Sequence, residues 1–216
     1  MVKQSLETAI AQLAETEMQT RLAAISQLEK IADLQQYQWQ VMEVLTDFVR
    51  NNAVADKQEV QPLLPIRADI QAVLSVICRN AKHNREKHIL DLSYVDIRGA
   101  NLDNANLERA ILYKANLAGA NLNRANLHKA VLTAANLAGA SLRCANLQQA
   151  IVGAANLAGA DLTNANLYQT NLFLANLHGA ILDGANLGSA NLRGANLSNT
   201  KLESPQMKIS IAKIYT

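Results

Sequence analysis

Asn116-Leu117-Ala118-Gly119-Ala120 recurs twenty residues on as Asn136-Leu137-Ala138-Gly139-Ala140, and again as Asn156-Leu157-Ala158-Gly159-Ala160. Between and beyond these copies Leu returns at every fifth place from Leu92 to Leu202, with only Ile97 and Val152 standing in for it, which makes 23 consecutive pentads. Ala sits two places before each of them except at Leu90, Val95, Thr170 and Thr200, and the residue between is usually Asn. A period of five suits neither regular element: on a helix it walks the apolar residue around the axis, and on a straight strand it alternates faces. The chain must therefore turn once per pentad, with Leu and Ala pointing inward and the other three residues facing solvent. The longer period of 20 closes four such sides into one coil. Asn176-Leu177-His178-Gly179-Ala180 continues the series, so Gly99, Gly119, Gly139, Gly159 and Gly179 are expected to stack in a column at a corner where positive φ costs Gly nothing.

Four Leu and four Ala per coil fill the cross-section and leave no lumen for a small-molecule substrate or cofactor. Leu102, Leu122, Leu142, Leu162 and Leu182 form the expected core column of one side. The A(N/D)LXX pattern over residues 88–204 resembles the pentapeptide-repeat family. That resemblance implies an all-β solenoid, a right-handed quadrilateral β-helix of about six coils, here behind an N-terminal α-helical domain. At about 4.8 Å per coil the rod would be about 28 Å long.

Residues 1–87 contain no pentads and are assigned to a helical cap or docking domain. Helical spacing joins Leu22, Ile25, Leu28, Ile31 and Ala32, then Val41, Met42, Val44, Leu45, Phe48 and Val49, and later Ile70, Val73, Leu74 and Ile77. A further helix is expected near residues 4–18, and a linker from Asn51 to Pro65. Arg21-Leu22-Ala23-Ala24-Ile25, Leu28-Glu29-Lys30-Ile31-Ala32, Val41-Met42-Glu43-Val44-Leu45-Thr46 and Asp69-Ile70-Gln71-Ala72 resemble a helical segment that precedes the repeats in some bacterial, notably cyanobacterial, members of that family. Some of those relatives carry membrane helices that this sequence lacks, so no membrane role is expected. Residues 205–216 form a tail in which Met207, Ile209 and Ile211 alternate as a short strand would, to cover the last coil or pair with another subunit.

Charge narrows the function. The chain has 20 Lys and Arg against 18 Asp and Glu, and residues 88–204 have eight bases against seven acids, a net of +1. Some members of the family mimic DNA and occupy the DNA site of gyrase, which requires a dense negative surface in place of a phosphate ladder. This rod has none, so a topoisomerase-binding mimic is the alternative rather than the leading reading, and nucleic acid is not an expected partner. Arg109 and Lys129 would stack as a small positive spot. His83, His88, His128 and His178 form no metal pattern, Cys78 and Cys144 form no paired-thiol motif, and no catalytic motif is present. A non-enzymatic, cytoplasmic protein without metal or cofactor is expected, with an enzyme as a distant third reading.

Folding the sequence at 20 residues per coil sets one side apart. Around Leu92, Leu112, Leu132, Val152 and Leu172 it presents Tyr94, Ile111, Tyr113, Val131, Ile151, Phe173 and Leu174, where Asn fills the position of Ile111, Val131 and Ile151 on other sides. A continuous apolar strip is a candidate interface with another protein or a second copy, or a seat for the chain's own helices or tail. The function expected on these grounds is a protein-binding scaffold or regulatory adaptor.

Overall fold

The computed structural model describes residues 1–53, 66–80 and 89–202, so the expected tail, His83, His88, most of the 51–65 linker and the 87/88 boundary lie outside the described residues. In the repeat, each residue preceding Leu makes an isolated parallel bridge to the residue 20 places on, from Asp91↔Ile111 through to Ile181↔Lys201. The strands of the sequence-based expectation are therefore reduced to single bridge residues. A five-residue side that must also turn leaves no room for a longer extended run.

Nearly every backbone donor of the pentad has a fixed destination, as buried peptide groups demand. Within the pentad of Leu122, the Asn121 N–H goes back one coil to Ala100 O at 2.9 Å, while the Leu122 and Arg124 N–H groups go forward to Ser141 O at 2.7 Å and Arg143 O at 2.8 Å. Ala125 N–H closes a β-turn on Leu122 O at 3.1 Å. The remaining N–H, of Asn123, is taken by Asn121 Oδ1 at 3.2 Å. Asn at the bridge position thus satisfies the one donor the coils cannot. Its Nδ2 then donates to the Asn one coil earlier, as in Asn136 to Asn116 at 3.0 Å and Asn156 to Asn136 at 3.2 Å.

The turn geometry extends beyond the glycine column. Positive φ holds at the second residue after every inward residue from Leu92 to Leu197, at fifteen non-glycine and seven glycine positions. With an i to i+3 hydrogen bond and positive φ confined to the third residue, each corner from Ile97 to Thr200 is a type II turn. Gly99, Gly119, Gly139, Gly159 and Gly179 adopt the positive φ at 65–67°, and Tyr94, Lys114 and Leu174 adopt it as well, at 54–61°. Inside, Leu122, Leu142, Leu162 and Leu182 are wholly buried and Leu102 nearly so.

Four helices precede the coils: α1 (Val2–Leu13), α2 (Met18–Ala32), α3 (Gln35–Asn52) and α4 (Ala68–Asn80). Each buries an apolar face at helical spacing, such as Leu6, Ala9 and Leu13 on α1 and Val41, Met42, Leu45, Phe48 and Val49 on α3. Asp69, wholly buried at the start of α4, accepts from Arg21 Nε at 2.8 Å and Arg67 Nη2 at 2.6 Å. Arg21 in turn holds the Glu15 and Thr16 carbonyls between α1 and α2.

The first coil has no coil before it, and the helical segment supplies the missing acceptors. Asp96 N–H donates to Ala53 O at 2.6 Å, Asn101 N–H to Gln71 Oε1 at 2.8 Å, and Asn106 N–H to Cys78 O at 3.4 Å. Three of the first coil's sides are thereby closed against edge pairing.

Candidate docking face

The bridges Asp91↔Ile111, Ile111↔Val131, Val131↔Ile151 and Ile151↔Asn171 put the apolar residues in one column on the side built around Leu92, Leu112, Leu132, Val152 and Leu172. Ile111 and Val131 are half-buried by their stacked neighbours, whereas Ile151 is 43% exposed. On the turn beside the column, Tyr94, Phe173 and Leu174 are 57%, 41% and 55% exposed, and Tyr113 is half-buried. The helices meet the edge of the first coil and leave these residues open.

The column carries a local cost. Asn would accept the N–H two residues on, and Ile111, Val131 and Ile151 cannot. At the N-terminal end of the strip, the Tyr94 and Tyr113 rings meet edge to face with centroids 5.4 Å apart, and Lys114 Nζ lies 5.8 and 5.3 Å from their centroids. This cation-π cluster was not read from the sequence, although positions 94, 113 and 114 fall together once the chain is folded at 20.

Charge bounds the same side. Asp91 begins it, accepting from Ser93 N and Oγ at 2.9 and 2.6 Å, with Arg50 Nη1 no closer than 4.0 Å. Arg193 ends it, exposed and without an ion pair among the described residues. Neither was singled out from the sequence, where charges in the repeats look scattered.

The other sides differ. Ala118, Ala138 and Ala158 with the glycine column make the second side smooth and small, and the third is crossed by the ion pairs Arg124–Asp103 at 2.6 Å and Arg143–Asp161 at 2.8 Å. The fourth carries Arg109 and Lys129 above Gln149 and Gln169, the two amides joined at 2.9 Å. His128 lies on the fourth side and His178 on the second. Cys78 is buried and Cys144 exposed, and neither is in a disulfide. Among the described residues no three His, Cys, Asp or Glu side chains gather as a metal site, and no helix is long and apolar enough to cross a membrane. A cleft of about 670 Å³ between α1, the start of α2 and the end of α3 is lined by Leu13, Arg21, Asp47 and Phe48.

A coil of four pentads, laddered by asparagine and filled by Leu and Ala, defines a four-sided β-solenoid. The profile of pentapeptide repeats (8 copies) matches residues 91–128, 110–149, 140–179 and 170–204, more than half of the sequence, and the chain belongs to the pentapeptide-repeat family. Membership implies a right-handed β-helical solenoid for the repeat. No curated protein matches the chain. Among solved structures, it is similar to a pentapeptide repeat protein of the Arabidopsis thaliana thylakoid lumen, at 28% identity over 62% of this chain and 82% of that one, with a TM-score of 0.36. The protein Rfr23 of the cyanobacterium Cyanothece is 31% identical over 55% of this chain and 95% of its own, with a TM-score of 0.37. HetL of Nostoc, a pentapeptide repeat protein involved in heterocyst differentiation regulation, is 29% identical over 52% of this chain and 73% of its own, with a TM-score of 0.24.

Proposed function

We propose that the chain is a non-enzymatic protein-binding scaffold, a rod of about six four-sided coils whose side of Tyr94, Ile111, Tyr113, Val131, Ile151, Phe173 and Leu174 receives another polypeptide. The observation that carries this reading is the run of three consecutive β-branched apolar residues, Ile111, Val131 and Ile151, in one bridge column, against the single Ile181 elsewhere in the repeat; each gives up the turn donor that Asn would satisfy. Nothing in the coil requires it, since Asn occupies that column all along the fourth side. Covering such a strip is favourable by roughly 25 cal/mol per Å². The packed interior supports a protein that holds no small-molecule substrate or cofactor, and Cys78 and Cys144, in no disulfide, support a cytoplasmic one. The +1 charge of residues 88–204 argues against the DNA-mimic alternative, and gyrase supercoiling should be unaffected at micromolar protein.

The test is the paired change Val131→Lys with Ile151→Glu, made in the full chain. It should leave the unfolding midpoint near that of the parent and remove the protein association the parent shows. Association equal to the parent's would contradict the reading, and a large loss of stability would mean the strip is covered by this chain itself.

A further inference from the structure

We propose that the polypeptide received by this face is a second copy of the chain, seated antiparallel about a two-fold axis that passes between Val131 and Ile151. The inference rests on the docking-face reading above and deepens it.

A two-fold axis lying in the interface, perpendicular to both rods, reverses the order of the coils but keeps each column opposite itself. Bridge column then faces bridge column. With the axis between the coils of Val131 and Ile151, Val131 of one chain lies opposite Ile151 of the other, twice, and Ile111 lies opposite Asn171 on either side of that centre. In the adjoining column Tyr113 lies opposite Phe173, an aromatic against an aromatic at each end of the apolar centre. One coil further out, Asp91 lies opposite Asn191 and its hydrogen-bonded Ser93 opposite Arg193, so the Asp91 carboxylate lies one column from a guanidinium that has no ion pair among the described residues of its own chain. Each acidic end thus meets a basic end. On the flanking corners the same operation sets Lys129 opposite Gln149 and Lys114, held over the Tyr94 and Tyr113 rings, opposite Leu174, so like charges are not brought together.

Rotation about an axis parallel to the rods would instead pair the bridge column with the turn residues beside it. It would also keep Asp91 at the level of Asp91 and Arg193 at the level of Arg193. The observed distribution, apolar in the middle with opposite charges at the two ends, favours the antiparallel arrangement.

The face is small. From the coil of Asp91 to that of Asn191 is five steps of about 4.8 Å, or about 24 Å, and a patch of that length falls at or below the roughly 1,200 Å² total that marks weak, transient interfaces. Association should therefore be reversible and concentration-dependent.

Sedimentation equilibrium of the full chain from about 10 to about 500 µM should show the mass rising from monomer to dimer and no further. Asp91→Arg alone and Arg193→Asp alone should each weaken dimerisation at least about tenfold, because each brings like charges together in facing coils. Mixed in equal amounts, the two variants should dimerise as the parent does, since every charged contact in the mixed dimer is again opposite in sign. A mixture no better than either variant would overturn the antiparallel register, as would single variants that dimerise normally. Salt gives a check that needs no variant: raising it from about 0.05 to about 1 M should weaken the parent dimer several-fold, and an unchanged or tighter dimer would count against the charged ends. A parent that stays monomeric throughout overturns the pairing while leaving the face open to another protein. A dimer untouched by Val131→Lys with Ile151→Glu removes the docking face itself.

Discussion

The side-chain amide of Gln71 docks on the backbone of Asn101 with both ends, Nε2 donating to Asn101 O at 2.9 Å and Oε1 accepting from Asn101 N–H at 2.8 Å. A neighbouring coil would offer Asn101 the same pair, a donor for its carbonyl and an acceptor for its amide. One glutamine on α4 therefore imitates a length of missing backbone at the open edge of the solenoid.

Gln71→Ala should remove both bonds at a cost of about 1–2 kcal/mol in denaturant unfolding, and Gln71→Glu should recover little of it, because a carboxylate cannot donate to the Asn101 carbonyl. Amide hydrogen exchange gives the local readout. Protection at Asn101 should fall while Asn121, bonded to Ala100 O, keeps its own. Equal exchange at Asn101 in parent and variant would show that the glutamine seals nothing.

Asp69 ties the helical segment together, and its stability should depend on pH. Burial alone would raise its pKa, but the hydrogen bonds from Arg67 and Arg21, the Arg67 charge and the Ile70 N–H outweigh it and hold the carboxyl below the usual range. A folded-state pKa depressed below the unfolded one contributes stability that is present above about pH 4 and lost as the pH falls through the lower folded value. Asp69→Asn should cost about 3 kcal/mol at neutral pH and flatten the acid limb of the stability profile. An acid limb of unchanged slope would place the titration elsewhere.

At the corners, conformation and space separate cleanly. A Cβ on Gly139 would meet nothing within 4 Å, yet its φ is +65°, so Gly139→Ala should still destabilise by about 1 kcal/mol through backbone strain. Ala154 holds φ 54° with a Cβ already present, and Ala154→Gly should stabilise by about 0.5–1 kcal/mol once glycine's greater unfolded-state entropy is set against the relief. Unfolding midpoints of the two variants should move in opposite directions.

That corner shows where sequence reading stops. The square coil was legible because Leu at five and Asn-Leu-Ala-Gly-Ala at twenty are periodic, and periodicity records a repeated environment. The same folding placed Ile111, Val131 and Ile151 in one column. The left-handed conformation of Tyr94, Lys114 and Leu174 left no such record, since it is imposed by closing the coil against local preference. Nor could spacing disclose Gln71 on Asn101 or Arg21 on Asp69, contacts made once, 30 and 48 residues apart. The charged ends Asp91 and Arg193 gain meaning only when a symmetry operation is considered, which a single chain does not display.

Two matched variants measured side by side decide whether the apolar side is the working surface. Val131→Lys with Ile151→Glu alters the apolar side, and Ala138→Lys with Ala158→Glu places the same charges on the smooth second side at the same two coils. Both should unfold close to the parent. In light scattering at high concentration, the apolar-side variant should lose the parent's association while the second-side variant keeps it. If both variants associate like the parent, or the second-side variant is the one that fails, the apolar side is ordinary exposed surface and not the docking face.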